Sequence, residues 1–88
     1  DWFRVKRLHC NDGFSMSVQA HYGVYCSPRV DPSETDYYSE VEIGFPSEKE
    51  ELLMGYVEDY DNPTDTVYGY VPVEVVQKVI EKHGGIKV

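Results

Sequence analysis

The chain has 88 residues, of which 41% are hydrophobic and 14% aromatic, and its formal net charge is −8. This length supports one domain, residues 1–88, with a single modest core. The apolar content excludes a disordered acidic tail, because such tails lack the surface needed to offset the entropy of ordering. The negative charge disfavours direct binding of nucleic acid or of an anionic membrane.

The sequence shows no segment typical of a membrane span or a secretion signal. No run approaches the roughly 18 apolar residues that suggest a transmembrane helix. The first five residues, Asp-Trp-Phe-Arg-Val, lack the apolar stretch of a signal peptide. We therefore expect a cytoplasmic protein.

The first part of the chain has the pattern of β-structure. Apolar and polar side chains alternate over residues 14–20, which is the period of a strand with one buried face. Residues 2–10 are also rich in β-formers, and Asp12-Gly13 between the two runs favours a tight hairpin turn. A short third strand is predicted over residues 24–26.

Alternation returns over residues 37–45, where one face is mostly apolar. The opposite face carries Tyr38, Glu40 and Glu42. After this strand, Ser47 followed three residues later by Glu50 predicts a capping box at a helix start. Apolar side chains at helical spacing over residues 52–57 then predict a helix of roughly three turns.

The last third of the chain reads as a loop, a strand and a helix. Residues 58–66 contain turn-forming residues, and residues 67–71 alternate, with Tyr68 and Tyr70 predicted on one face. Pro72 suits the start of a second helix, and Gly84-Gly85 predicts its end. The buried stripe of that helix is predicted to be Val75, Val76, Val79, Ile80 and His83. The expected fold is α+β, an antiparallel sheet of four to five strands with two helices packed on one face.

The negative charge is concentrated in residues 31–65, which contain twelve carboxylates and one base, Lys49. A domain that keeps so many like charges together produces a strong local field, which attracts basic surfaces. Tyrosine often anchors interfaces, and Tyr38 beside two carboxylates would receive arginine by pairing and stacking. An ordinary solvated sheet face remains the alternative. The predicted partner-binding residues are Tyr38, Glu40, Glu42, Glu58, Asp59, Tyr60, Asp61 and Asp65.

Catalytic and metal-binding patterns are weaker than this charge signal. The alternating aspartates of residues 59–65 resemble a calcium loop, but Thr64 stands where that loop needs glycine. The histidines have no nucleophile in a recognisable motif. Cys10 and Cys26 could form a disulfide, join a zinc site with His9 and His21, or be reduced thiols, and reduced thiols fit a cytosolic chain best. We expect no catalytic residue, cofactor or metal.

Four stretches, residues 10–20, 41–53, 66–76 and 83–86, resemble small acidic proteins of phages and mobile elements in Gram-positive bacteria. Proteins of this size and charge include anti-CRISPR and anti-restriction proteins. The resemblance implies a phage-encoded, non-enzymatic inhibitor that mimics nucleic acid at the basic site of a bacterial nucleic-acid-targeting defence protein. The alternative is an accessory domain that acts by tyrosine-mediated protein-protein interaction or self-association. Either protein would be a monomer or a homodimer.

Overall fold

Four antiparallel strands lie in chain order in one sheet, and helices cover one of its faces. The computed structural model describes residues 6–88. The elements in chain order are β1 (Lys6–His9), β2 (Ser15–Gln19), a 3-10 helix (Pro32–Glu34), β3 (Glu40–Gly44), a 3-10 helix (Glu51–Tyr56), β4 (Val67–Pro72) and α1 (Val73–Lys82). The α+β class and the four-stranded sheet are confirmed. The predicted start of the first strand, residues 2–5, lies outside the described residues.

The hairpin between β1 and β2 forms at the predicted Asp12-Gly13 turn. Gly13 has a φ of 97°, a conformation that glycine adopts without steric cost. The Asp12 carboxylate accepts a hydrogen bond of 2.9 Å from the amide of Phe14. This turn directs Phe14, which is 1% exposed, into the core.

Helix α1 has the predicted boundaries and the predicted buried face. Pro72 precedes its first residue, and Val79 is fully buried against the sheet. At the other end, the amide of Gly84 donates to the carbonyl of Glu81, and that of Gly85 donates to the carbonyl of Ile80. These two bonds form a Schellman motif, which accounts for the positive φ of Gly84.

The first predicted helix is a six-residue 3-10 helix that begins later than the capping box implied. Ser47 does not cap it, because the Ser47 hydroxyl instead accepts a hydrogen bond from the amide of Ser15 on β2. Glu50 is the cap, and its carboxylate accepts from the amide of Leu52 at 2.8 Å. The predicted strand over residues 24–26 is also wrong: that segment is irregular, and only Ser27 bridges to Glu40.

A bulge in β4 separates the two tyrosines that were expected on one face. Val41 pairs with Val71 and Ile43 pairs with Tyr68, so Gly69 and Tyr70 together stand opposite Glu42. The extra residue turns the strand. Tyr68 is therefore fully buried, with its hydroxyl donating to the carbonyl of Pro63 at 2.5 Å, whereas Tyr70 is 45% exposed.

Candidate functional site

Five of the eight predicted partner-binding residues lie together in one exposed loop, residues 58–65, which we call the acidic loop. Its outward side chains are Glu58, Asp59, Tyr60, Asp61 and Asp65. Tyr60 is 65% exposed. The loop connects the second 3-10 helix to β4 and stands at the rim of the sheet. The structure thus displays the carboxylates of this loop to solvent.

Hydrogen bonds fix the backbone of the acidic loop. One Asp59 oxygen accepts from the amide of Asp61 at 3.1 Å, and the other accepts from the side-chain amide of Asn62 at 3.0 Å. This arrangement is the aspartate turn that favours such residues in loops. At the base, the amide of Asp59 donates to the Thr66 hydroxyl, and the amide of Glu58 donates to the carbonyl of Val67. These hydrogen bonds thus constrain the backbone of the loop at its turn and at its base.

The carboxylates of the acidic loop have no neutralising partners in the part of the chain that the structure describes. Among residues 7–88, none of the four makes an ion pair within 4.0 Å. The nearby base is Lys49, whose ammonium lies 5.7 Å from the centre of the Tyr60 ring and 3.4 Å from a carboxylate oxygen of Glu51. Four unpaired carboxylates in eight residues leave a local negative field that solvent and salt only screen.

The other three predicted residues are not displayed in this way. Tyr38 is half-buried, packs on the core and donates its hydroxyl to the carbonyl of Val30 at 2.7 Å, and burial raises its pKa. Glu40 accepts a hydrogen bond from the Ser27 hydroxyl at 2.7 Å. Glu42 is 7% exposed. Tyr38, Glu40 and Glu42 are therefore less exposed than the prediction assumed, because residues between 25 and 30 make hydrogen bonds to all three.

A different aromatic group covers Glu42. The rings of Tyr25 and Tyr70, which we call the aromatic pair, have centroids 5.7 Å apart, and both rings are partly exposed. The amide of Tyr25 donates to the Glu42 carboxylate at 3.1 Å. Sequence reasoning missed this pair because it depends on the bulge. The available signal was Gly69, since an isolated glycine in a strand pattern often marks a bulge.

A charged cluster, the carboxylate clasp, consists of the buried Glu50 and His83 and the exposed Asp12 and Lys82. One ring nitrogen of His83 lies 2.6 Å from Asp12 and the other lies 2.6 Å from Glu50. The Lys82 ammonium donates to the second Glu50 oxygen at 3.0 Å. Phe14 stacks on the imidazole with a centroid distance of 4.1 Å. The clasp joins the β1-β2 turn, the start of the second 3-10 helix and the end of α1.

The environment of the clasp favours an imidazolium between two carboxylates. Burial acts to lower the pKa of His83, but the hydrogen bonds to Glu50 and Asp12 outweigh it and raise that pKa. Burial acts to raise the pKa of Glu50, but the bonds from Leu52, His83 and Lys82 lower it. Because both ring nitrogens face carboxylates, neither is free to take a proton from a substrate. The arrangement holds the fold together and offers no general base.

The described residues include no group of three or more histidines, cysteines or carboxylates arranged to hold a metal ion. Cys10 and Cys26 are both buried free thiols, and burial raises the pKa of each. A raised pKa keeps a thiol protonated, which makes it a poor nucleophile and a poor metal ligand. Within residues 6–88, no helix has the length and apolar character that crossing a bilayer requires.

Comparisons with known proteins found no match to this chain among protein-family models, curated proteins or solved structures.

Proposed function

We propose that this chain is a non-enzymatic binding protein whose acidic loop occupies a basic site on a protein that handles nucleic acid. In that role the loop carboxylates take the place of phosphates, and the bound chain blocks nucleic acid from the site. Its biological setting would be a phage-encoded, anti-CRISPR-like inhibitor of a bacterial defence protein, acting in the host cytoplasm. The observation that carries the proposal is the set of unpaired, exposed carboxylates in the acidic loop.

Two properties of the loop support a binding role. Its field would steer a basic partner toward it, and steering of this kind raises association rates by about 10 to 10³-fold. Its hydrogen-bonded turn at Asp59 reduces the conformational entropy lost on binding, since preordered loops lose less freedom when a complex forms. A loop that served only solubility would not need a fixed backbone. Its carboxylates would also not need to be free of ion pairs.

The test compares two double charge reversals of equal size. Asp61→Lys/Asp65→Lys alters the acidic loop, and Glu74→Lys/Glu81→Lys alters exposed positions on α1. Asp59 is left intact because it forms the turn. A partner is first captured from a Gram-positive bacterial lysate at low salt, purified, and then titrated with each variant and with its own nucleic acid as competitor.

We expect wild-type chain and nucleic acid to compete for the captured partner. Association by the loop variant should be slower by about tenfold at low ionic strength, because complementary fields steer encounter. The α1 variant should associate at close to the wild-type rate. Equal effects of the two reversals, or simultaneous binding of chain and nucleic acid, would contradict the proposal.

A second candidate is a tyrosine-mediated interaction with another protein or with a second copy of the chain. The exposed aromatic pair favours it, because tyrosine is enriched where interfaces carry most of their energy. This candidate predicts binding that persists at high salt and survives reversal of the acidic loop. Sedimentation equilibrium over a range of concentrations tests the self-association form directly.

A further inference from the structure

The β4 bulge builds a surface from two aromatic rings and a carboxylate. Because Gly69 and Tyr70 both stand opposite Glu42, the strand approaches the segment that carries Tyr25. The amide of Tyr70 donates to the carbonyl of Tyr25 at 3.0 Å. A β-carbon added at Gly69 would lie 3.2 Å from the β-carbon of Tyr25. Glycine at position 69 therefore allows Tyr25 to lie against the strand.

The Glu42 carboxylate beside this pair of rings has no compensating cation among residues 7–88. Glu42 is only 7% exposed. One of its carboxylate oxygens accepts a hydrogen bond from the amide of Tyr25. Among residues 7–88, no base lies within 4.0 Å of this carboxylate to form an ion pair. A buried carboxylate is costly unless it is paired. The second Glu42 oxygen accepts from no donor among the described residues and reaches solvent, since none of their fully buried side-chain oxygens lacks a partner. A donor from a partner would complete this site.

The aromatic rings already bind a guanidinium within the chain. The guanidinium carbon of Arg29 lies 5.5 Å from the centre of the Tyr25 ring, and its Nε donates to the carbonyl of Tyr22. Arg29 is thus anchored elsewhere and makes no ion pair with Glu42. The contact shows that the Tyr25 ring accepts a planar cation on the face that Arg29 occupies, and Tyr70 offers a further ring beside it.

We propose that Tyr25, Tyr70 and Glu42 form a docking site for an arginine side chain of the basic partner. This inference rests on the proposed function and names the contact that follows electrostatic encounter. Arginine fits better than lysine because a planar guanidinium stacks on tyrosine and donates in parallel to a carboxylate. Charge complementarity supports the same occupant, since the site adds an unpaired negative charge to a chain of net charge −8.

The backbone at Tyr70 provides a matched test. Tyr70 has a φ of 53° and Phe45 has a φ of 50°, and both exposed aromatic residues therefore adopt a conformation that suits glycine. Phe45 lies at the other end of β3, where its carbonyl accepts from Arg7. Tyr70→Gly and Phe45→Gly each relieve a left-handed backbone and remove an exposed ring. The two variants differ in whether a buried carboxylate lies beside the lost ring.

The experiment measures binding of a nine-arginine peptide and a nine-lysine peptide by calorimetry. We expect the wild-type chain to bind the arginine peptide about fivefold more tightly, because a guanidinium stacks flat on tyrosine and donates in parallel to a carboxylate, whereas an ammonium does not. Tyr70→Gly and Glu42→Gln should each remove that preference, since glutamine keeps the acceptor for Tyr25 and loses the charge. Phe45→Gly should retain it. Melting curves should show Tyr70→Gly at least as stable as wild type.

Several outcomes would overturn the docking site. Equal binding of both peptides by the wild-type chain, or a preference that survives Tyr70→Gly and Glu42→Gln, excludes it while leaving the acidic-loop proposal in place. Absence of binding to either peptide contradicts both proposals. Binding of a single-stranded oligonucleotide, or formation of a dimer, that is lost in Tyr70→Gly would assign the rings to a base or to a second copy instead. If Tyr70→Gly does not fold, Glu42→Gln and Phe45→Gly decide the question.

Discussion

Glu50 and the aspartates of the acidic loop carry the same chemical group in opposite surroundings. Glu50 is 2% exposed and receives hydrogen bonds from Leu52, Lys82 and His83. Asp61 and Asp65 are exposed and make no ion pair with any residue from 7 to 88. Both sets lie in the same acidic stretch of sequence, residues 31–65. Acidity of a segment therefore does not tell which carboxylates hold the fold and which face solvent.

The two surroundings differ in the groups that replace water around each carboxylate. Removing a carboxylate from water costs several kcal/mol unless cations and donors replace the solvent. At Glu50, one donor from the 3-10 helix that it caps and two from the end of α1 supply that replacement. In the acidic loop, water solvates the ionised carboxylates, which therefore carry no desolvation cost and stay accessible at the surface. The clasp should therefore govern stability, and the loop should govern recognition.

The largest effect on stability should come from introducing a buried carboxylate that has no cation or hydrogen-bond donor around it. Val79 is fully buried, so Val79→Asp should cost about 4 kcal/mol or more and unfold the domain. Gln77→Asp places the same charge at an exposed position of the same helix and should keep the fold. Circular dichroism melting compares the two. A cooperative transition near the wild-type temperature for Val79→Asp would contradict the buried face of α1.

Removing the cation from the clasp should have the next largest effect. His83→Leu leaves Glu50 with Lys82 and the Leu52 amide, and we expect a loss of about 3 kcal/mol in the free energy of unfolding. The double variant Glu50→Leu/His83→Leu should lose less than the sum of the single changes, because it removes the unpaired charge as well. Urea denaturation measures all three. Strictly additive losses would show that the two side chains are not coupled.

The clasp should also set the pH dependence of stability. The raised pKa of His83 means that its contribution is complete below about pH 6.5, the ordinary histidine value, and is lost as pH rises through the folded-state pKa. The lowered pKa of Glu50 means that its contribution is complete above about pH 4.3 and is lost as pH falls through its folded-state pKa. Stability should therefore be highest between these limits.

This pH profile is measured by urea unfolding at each pH, with the His83 ring protons followed by NMR. In Glu50→Leu/His83→Leu the profile should flatten at both ends. A His83 ring that titrates below the ordinary histidine value would contradict the imidazolium assignment.

The smallest effect on stability should come from the acidic loop. Asp61→Lys/Asp65→Lys should change the free energy of unfolding by about 0.5 kcal/mol or less, because both side chains are exposed. Any change should favour the variant at low salt, where relief of repulsion is least screened. Urea denaturation at two ionic strengths makes the comparison. A loss near that of His83→Leu would show that the loop also supports the fold.

Local signals predicted the parts of the fold that depend on neighbouring residues. Asp12-Gly13 located the hairpin, while Pro72 and Gly84 located the ends of α1, because each acts through its own backbone conformation. The acidic loop was predicted for the same reason, from its turn-forming residues. These signals do not depend on residues that are distant in the sequence.

The burial of Glu42 and Glu50 could not be predicted in that way. Glu50 is buried because it meets His83, 33 positions later in the chain, and no local pattern records that meeting. Period-two alternation also assumed a regular strand at Tyr70, where the bulge changes the face of the side chain. Both errors concern polar residues whose surroundings are set by long-range contacts.

The clasp also constrains when the domain can fold during synthesis. The ribosome releases Asp12 and Glu50 well before Lys82 and His83, and Asp12 and His83 are 71 positions apart. Until α1 emerges, no cation is available to compensate the desolvation of the Glu50 carboxylate. The sheet also lacks its covering helix. The nascent sheet should therefore stay open, and the domain should close only after translation has passed residue 83.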